Sequence, residues 1–169
     1  MSWMASPSPS PFHGPKAKSD TCETGSERAH CKRVRLECER LRREGLPKLP
    51  ILSIRELEST SGGRNCLLRA EIEGPDGSPF ENAAFGLMLD VGEQYPFKPP
   101  NVRFASPRRV FHPNVDPSSG GICLDILNDT LLWSPAIGLE KLLLGIASLL
   151  SEPRTEHGLN QEALELLRQ

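Results

Sequence analysis

A thiol and an amide could meet in the loop that runs from residue 109 to residue 125, RVFHPNVDPSSGGICLD. Proline follows His112 there, and two consecutive glycines come shortly before Cys123. Proline fixes φ, and asparagine and glycine tolerate positive φ, so this loop should have a defined shape. We therefore expect the loop to bring Cys123 back towards Asn114.

The chemistry available to Cys123 is acyl transfer. Thiolate is the reactive form of cysteine, and Asp125 should disfavour it by like-charge repulsion, which makes Cys123 a modest nucleophile. Such a thiol can still accept an acyl group that arrives as a thioester, because exchange between similar thiols is nearly isoenergetic. Asn114 could donate a hydrogen bond to the oxyanion formed when an amine attacks, or could hold the loop in shape. A cysteine hydrolase with His112 as its base is disfavoured by Pro113 and Asp125.

Four motifs in a fixed order carry a family resemblance. They are YPFKPP at 95–100, HPN at 112–114, GICLDIL at 121–127 and WSPA at 133–136. In this order and spacing, the chain from about Ala29 to its C-terminus resembles the core of a ubiquitin-conjugating enzyme. The resemblance implies that Cys123 carries ubiquitin as a thioester and passes it to a substrate lysine or a ligase cysteine.

The resemblance also implies partners and the surfaces that bind them. The implied partners are ubiquitin, the ubiquitin-activating enzyme, a RING-type or HECT-type ubiquitin ligase and substrate lysines. No bound cofactor or metal is implied, because ATP is consumed upstream by the activating enzyme. In this family the first helix and a neighbouring surface bind the activating enzyme and the ligase, and the matching residues are Lys32, Arg33, Phe97, Ser134, Pro135 and Ala136. Alternatively, the charged helix face is simply solvated and Phe97 packs inward.

Two further candidates lie after Pro153, where the family often has acidic residues beside the incoming lysine. Here the matching positions are Glu156 and His157. We hypothesise that His157 replaces a carboxylate that positions and deprotonates the lysine. The alternative is that Glu156 has the acidic role and His157 is an ordinary loop residue. With Cys123, Asn114, His112 and Asp125, these residues complete the candidate catalytic set.

The modifier and the branch of the family are indicated less directly. Asp125 after Cys-Leu and the YPFKPP loop resemble the ubiquitin branch, whereas an N-terminal extension is also found in a branch that serves a ubiquitin-like modifier. The FHPNV run resembles the peroxisomal-import branch, and the longer segment before Trp133 resembles both that branch and a DNA-repair branch. A non-catalytic ubiquitin-binding variant is disfavoured, because such variants lack the cysteine that this chain keeps.

Length and composition indicate one domain with a tail. The chain has 169 residues, which suits a disordered Ser/Pro-rich extension at 1–23 followed by a core domain at 24–169. Many family members continue through one further helix beyond the position of Gln169, so the core is expected to be C-terminally short. A net charge of −2 and a pI near 6.1 give no reason to expect nucleic acid as the main partner.

Neither a membrane span nor a secretory signal is predicted. No apolar run is long enough to cross a bilayer, and the N-terminus lacks the order of a signal peptide. We therefore expect an intracellular protein of the cytoplasm and/or nucleus, with peroxisome association as an alternative.

Five cysteines are odd in number and form no Cys-x-x-Cys pair. Neither a disulfide framework nor a structural zinc site is therefore favoured.

The periodicity predicts helices and an antiparallel meander of strands, and the resemblance implies an α+β, UBC-like fold. It consists of an N-terminal helix, a four-stranded antiparallel meander sheet, an active-site cysteine loop, a central helix and a short C-terminal helix. The first helix should run from about 25 to 44, with a Thr24/Glu27 capping box. Its apolar stripe is predicted as Cys31, Val34, Cys38 and Leu41. The first three strands are predicted at Ile51–Leu57, Cys66–Glu73 and Ala84–Val91.

Prolines at 96, 99 and 100 exclude an interior strand over Tyr95–Pro100, so this run should be a rigid connection to a strand at Val102–Phe104. The Asn128–Leu132 segment is about two residues longer than the common family pattern. The central helix should bury a repeated set of apolar residues, Leu139, Leu142, Leu143, Ile146, Leu149 and Leu150. Asn160 should cap a final helix at Gln161–Arg168 whose Ala163, Leu164 and Leu167 face inward.

Overall fold

A four-stranded antiparallel sheet forms the centre of the fold. The computed structural model describes residues 28–45, 50–57, 64–107, 110–128, 132–156 and 158–168. The strands lie in the order β1-β2-β3-β4 and every neighbouring pair is antiparallel, which confirms the predicted meander. Their bounds are β1 Ile51–Leu57, β2 Cys66–Glu73, β3 Ala84–Val91 and β4 Asn101–Phe104.

One face of the sheet is apolar because side chains alternate along a strand. β2 buries Leu68, Ala70 and Ile72 on that face. Leu68 lies opposite Leu89 of β3, and Ala70 lies opposite Leu87. The pairing therefore places the buried residues of adjacent strands on the same side, where the helices can cover them.

Within the described ranges four helices accompany the sheet, and α3 packs against its buried face. The helices are α1 Ala29–Arg40, α2 Asp125–Asn128, α3 Gly138–Ser151 and α4 Gln161–Leu167. α3 contacts β2 and α1. The residues predicted as its core are all buried, namely Leu139, Leu142, Leu143, Ile146, Leu149 and Leu150. The short α2, directly after the cysteine loop, was not predicted.

The first helix is shorter than predicted. It begins at Ala29 after Arg28, which makes no side-chain cap hydrogen bond, and a π-helical turn at Leu41–Gly45 follows it. Thr24 and Glu27, the predicted capping box, lie outside the described residues. So do residues 1–23 and most of the 128–132 segment.

His30 occupies the stripe position predicted for Cys31. His30, Val34 and Cys38 are the buried residues of α1, whereas Cys31 is only partly buried. Both residue 30 and residue 31 lie about one turn before Val34, so periodicity alone does not choose between them. The choice depends on a partner outside the helix, because the His30 Nε2 lies 3.1 Å from the carbonyl oxygen of Arg64.

Cys31 and Cys66 form a disulfide, which the sequence did not favour. The bond joins the first turn of α1 to the first residue of β2, with the Cα atoms 5.9 Å apart. The prediction is wrong because it rested on local spacing, and these cysteines are 35 residues apart. They come together in the folded chain, where the first turn of α1 lies beside the first residue of β2.

The C-terminal helix is capped as predicted. The Asn160 Oδ1 accepts a hydrogen bond from the Ala163 backbone N–H at 3.2 Å, and Ala163 and Leu164 are buried. Leu167 was predicted to face inward, but half of its surface is exposed. It is the last residue of α4, where the side chain has a neighbouring helical turn on one side only.

Candidate functional site

The cysteine loop folds back on itself and places Cys123 opposite Asn114. The Cys123 backbone N–H donates to the Asn114 carbonyl oxygen at 2.9 Å. The next pair inward, Val115 and Ile122, forms an isolated antiparallel bridge. The predicted approach of the thiol-bearing residue to the amide-bearing residue is therefore confirmed.

Gly120 ties this loop to the sheet. Its φ is +76°, and its carbonyl oxygen accepts the Phe104 N–H at 2.9 Å. A Cβ at this position would lie 2.5 Å from the Phe104 carbonyl oxygen, so glycine is required here both for φ and for space.

The turn that precedes Gly120 is closed by a carboxylate. The Asp116 Oδ1 accepts hydrogen bonds from the backbone N–H of Ser118 and of Ser119 and from the Ser119 hydroxyl. These bonds, with those to Ser119 the strongest, hold the pKa of Asp116 below its usual value. The shape expected from the NVDPSSGG run thus has a specific hydrogen-bonded basis.

The Asn114 side chain is fully buried and binds the backbone of Arg154. Its Nδ2 donates to the Arg154 carbonyl oxygen at 2.7 Å, and its Oδ1 accepts the Arg154 N–H at 2.8 Å. This pair joins the cysteine loop to the segment that carries Glu156. The arrangement supports the loop-holding role, which the sequence had left open beside the oxyanion role.

His112 is a buried imidazole. Its Nδ1 accepts the Asn114 backbone N–H at 3.1 Å, and the ring is 1% exposed and lies against Phe80. Burial lowers the pKa of His112 below its ordinary value near 6.5, while the carbonyl of Leu149 opposes that shift. A histidine held in this way shapes the corner and is poorly placed to take up a proton, which argues further against a cysteine hydrolase.

A pH dependence of stability follows from His112. The unfolded chain binds a proton on this residue below about pH 6.5, and the folded protein resists doing so. The free energy of unfolding should therefore fall as the pH drops below that value. Thermal melts of wild type and His112→Gln from about pH 8 to pH 5 test this. The variant should have a lower melting temperature at pH 8 but a flatter profile, and parallel profiles would contradict the assignment.

Cys123 is the accessible thiol of the described residues. Cys31 and Cys66 are bonded to each other, and Cys38 is buried. Burial raises the pKa of Cys38 to about 12, which removes it as a nucleophile. Cys123 is partly exposed at the end of the loop. Cys22 lies outside the described residues.

Unlike the buried Asn114 and His112, the remaining described catalytic candidates are exposed. Asp125 is exposed and begins α2, two residues after Cys123. Glu156 is exposed in the segment after Arg154. His157 lies outside the described residues, as does Arg109 of the cysteine loop.

Glu37 organises the surface predicted to bind the ligase, a role that the sequence did not indicate. Its Oε2 accepts hydrogen bonds from the Tyr95 hydroxyl at 2.7 Å and the Leu139 backbone N–H at 2.8 Å. Its Oε1 pairs with the Arg33 side chain. Burial, together with the hydrogen bond from the Tyr95 hydroxyl to Glu37, raises the pKa of Tyr95. One carboxylate thus joins α1, the proline-rich connection and the start of α3.

The predicted binding residues are exposed around this junction. Phe97 is 79% exposed, so the choice of an outward position is confirmed. The backbone beside it is fixed, because the Trp133 Nε1–H donates to the Pro96 carbonyl oxygen at 2.7 Å. Arg33 and Ala136 line one cleft between α1 and α3. The other predicted residues are also exposed, namely Lys32, Ser134 and Pro135.

Comparison with known proteins gives one consistent result. A family model described as "Ubiquitin-conjugating enzyme" matches residues 41–169. The chain is 30% identical to the ubiquitin conjugating enzyme Pex4p of H. polymorpha, solved in complex with the soluble domain of Pex22p. That match has a TM-score of 0.72 and covers 83% of this chain and 88% of that one. A Toxoplasma gondii ubiquitin conjugating enzyme E2 domain is 28% identical, with a TM-score of 0.66 and coverage of 82% and 86%.

Proposed function

The chain belongs to the ubiquitin-conjugating enzyme family, and from this premise we propose that Cys123 accepts activated ubiquitin as a thioester and transfers it to a substrate lysine. The observation that carries the proposal is the position of Cys123. It is a partly exposed thiol at the end of a loop that Asn114 and Gly120 hold in one shape. The reaction is an acyl transfer in which the bond to sulfur breaks as the bond to the lysine nitrogen forms.

The proposed partners follow from the same premise. The activating enzyme consumes ATP and delivers ubiquitin to Cys123, so the conjugating enzyme itself needs no bound cofactor. A RING-type or HECT-type ligase then binds the exposed surface around Phe97 and Arg33. No helix in the described part of the chain is long and apolar enough to cross a membrane. We propose the cytoplasm and/or nucleus as the location, with peroxisome association as the alternative.

Glu156 and His157 are proposed to act on the incoming lysine. The Asn114–Arg154 pair holds the start of their segment against the cysteine loop, and Glu156 is exposed. A carboxylate there can attract the lysine ammonium and accept a hydrogen bond from the amine. His157 would do so only as a neutral imidazole, so discharge that depends on it should weaken at acidic pH.

The modifier is tested by a charging assay with purified components. The full chain is incubated with ATP and either the ubiquitin-activating enzyme and ubiquitin or the matching enzyme and a ubiquitin-like modifier. Ubiquitin should be attached in a bond that a thiol reductant cleaves. Attachment of a ubiquitin-like modifier alone would replace ubiquitin in the proposal, and attachment of no modifier would favour a non-catalytic variant of the fold.

Phe97 provides a test of the ligase surface. Because its side chain is 79% exposed, Phe97→Ala should leave stability and charging close to wild type. Loss of an aromatic anchor at an interface should reduce ligase-stimulated discharge by on the order of tenfold or more. The measurement is the rate of discharge from the preformed thioester, with and without a cognate ligase domain.

Leu52→Ala is the matched control for Phe97→Ala. Leu52 is also apolar and is 46% exposed, but it lies on β1. This variant should respond to the ligase as wild type does. An equal loss in both variants would mean that exposed apolar surface in general is responsible. Undiminished stimulation of Phe97→Ala would remove Phe97 from the ligase surface.

A further inference from the structure

A second group of reactive side chains lies away from the cysteine loop, where α1 meets β2. His30, Cys31 and Cys66 place the imidazole nitrogen and the two sulfur atoms within 4.8 Å of one another. The Cys31 Sγ lies 3.4 Å from the His30 Nε2, which in turn lies 3.1 Å from the Arg64 carbonyl oxygen. Four atoms capable of binding a cation therefore converge from two parts of the chain.

The spacing of these atoms suits a tetrahedral zinc ion. With Zn–S near 2.3 Å and Zn–N near 2.05 Å, a sulfur and a nitrogen ligand lie about 3.6 Å apart and two sulfur ligands about 3.8 Å apart. The Cys31 and His30 atoms are already close to that separation. Opening the disulfide would allow the second sulfur to reach its position by side-chain rotation, because the Cα atoms are 5.9 Å apart.

We propose that His30, Cys31 and Cys66 bind a zinc ion when the Cys31–Cys66 disulfide is reduced. A thiol or phosphine reductant supplies two electrons and solvent supplies two protons, so the S–S bond breaks and two thiols form. Each thiol releases its proton to solvent as its sulfur binds the cation. The His30 imidazole stays neutral, and its proton moves from Nε2 to Nδ1. The Arg64 carbonyl oxygen or a water molecule completes the tetrahedron.

The ligand set selects for zinc over the abundant hard cations. Two thiolates and one imidazole suit Zn²⁺, whereas Mg²⁺ and Ca²⁺ prefer oxygen ligands. Cys31 and Cys66 are both partly exposed, so a cation and a reductant can reach them. His30 is 5% exposed and is held in place by its contact with Arg64.

The consequence is that α1 stays linked to β2 under both oxidising and reducing conditions. The disulfide makes this link when the cysteines are oxidised, and the zinc ion makes it when they are reduced. The linked helix carries Lys32 and Arg33 in the same turn, next to the cluster in sequence. The cluster would therefore keep this end of α1 fixed to the sheet in either state.

Cobalt(II) titration tests the site directly, because Co²⁺ occupies zinc sites and its spectrum reports its ligands. The full chain is reduced with a phosphine, freed of metal and titrated under anaerobic conditions. One equivalent of Co²⁺ should produce a thiolate-to-cobalt charge-transfer band and the visible bands of tetrahedral geometry, and Zn²⁺ should abolish both. The oxidised protein should give neither band. Absence of these bands from the reduced, folded protein would overturn the proposal.

Variants of the cluster and of the other thiols locate the site. His30→Ala and Cys31→Ser should each weaken Co²⁺ binding by on the order of 10²-fold or more, since loss of even an outer-shell partner costs 10- to 100-fold. Circular dichroism checks that each variant is folded. The matched controls, which should bind as wild type does, are Cys22→Ser, Cys38→Ala and Cys123→Ala. Undiminished binding by both cluster variants would place the cation elsewhere and reject the site.

Discussion

Cys123→Ala should lose all charging by the activating enzyme, whereas wild type should become fully charged. Alanine has no atom that can form the acyl bond, and the described cysteines offer no substitute. Cys38 is buried with its pKa raised to about 12, and Cys31 is bonded to Cys66. The measurement is the mass shift of one ubiquitin on a gel run without reductant, after incubation with activating enzyme, ATP and ubiquitin.

Two further variants make this result specific. Cys123→Ser should give at most an ester, which resists thiol reductants, because a hydroxyl is a weaker nucleophile and its acyl bond exchanges poorly with thiols. Cys38→Ala should charge as wild type does. Ubiquitin attached to Cys123→Ala by a reductant-sensitive bond would overturn the assignment of Cys123 as the acceptor.

The strands were predictable because their sequences carry local signals, most clearly in β2. Alternation in β2 placed Leu68, Ala70 and Ile72 on one face, and turn-forming segments marked its ends. The predicted bounds of the first three strands agree with those observed. The α3 core was equally clear, since its leucines repeat at helical spacing over several turns. In both cases the signal is local and repeated, so these elements could be predicted without knowing what packs against them.

The first helix shows where local signals fail. Periodicity allowed either His30 or Cys31 to face inward, and the choice was made by the carbonyl of Arg64, 34 residues away. The disulfide depends on the same long-range packing. Glu37 could have been recognised only as the partner of Arg33 at i, i+4, because its bonds to Tyr95 and Leu139 cross the fold. The family motifs located the cysteine loop and Asn114 within it, but not the Arg154 backbone that Asn114 binds.

The role of Asn114 is the point at which structure changes the sequence interpretation most. Asn114→Ala removes both hydrogen bonds to the Arg154 backbone. The free energy of unfolding should fall by about 1–3 kcal/mol, because two hydrogen bonds are lost and the Arg154 N–H and carbonyl oxygen no longer have the amide as their partner. Charging should persist, since the thiol remains. If the amide also serves the attacking amine, discharge to free lysine should fall on the order of 10²-fold, the usual scale for loss of an oxyanion donor.

Asn160→Ala separates lost stability from lost chemistry. Asn160 is buried near the same loop, and its backbone N–H donates to the Pro113 carbonyl oxygen at 3.0 Å. Its side chain caps α4, so alanine should cost about 1 kcal/mol of stability. Discharge of preformed thioester is compared well below both melting temperatures. If discharge is slowed in Asn114→Ala but not in Asn160→Ala, Asn114 has a role in the reaction. If both variants discharge at the wild-type rate, Asn114 is a purely structural residue.

Asn114→Asp then distinguishes the two ends of the amide. The carboxylate can still accept the Arg154 N–H but can no longer donate to the Arg154 carbonyl oxygen or to an oxyanion. It also places a negative charge beside the developing oxyanion. If donation serves the reaction, Asn114→Asp should discharge to lysine at least as slowly as Asn114→Ala, even where it melts at a higher temperature. Faster discharge by Asn114→Asp than by Asn114→Ala would instead mean that fixing the Arg154 segment, through the acceptor oxygen, is what the reaction requires.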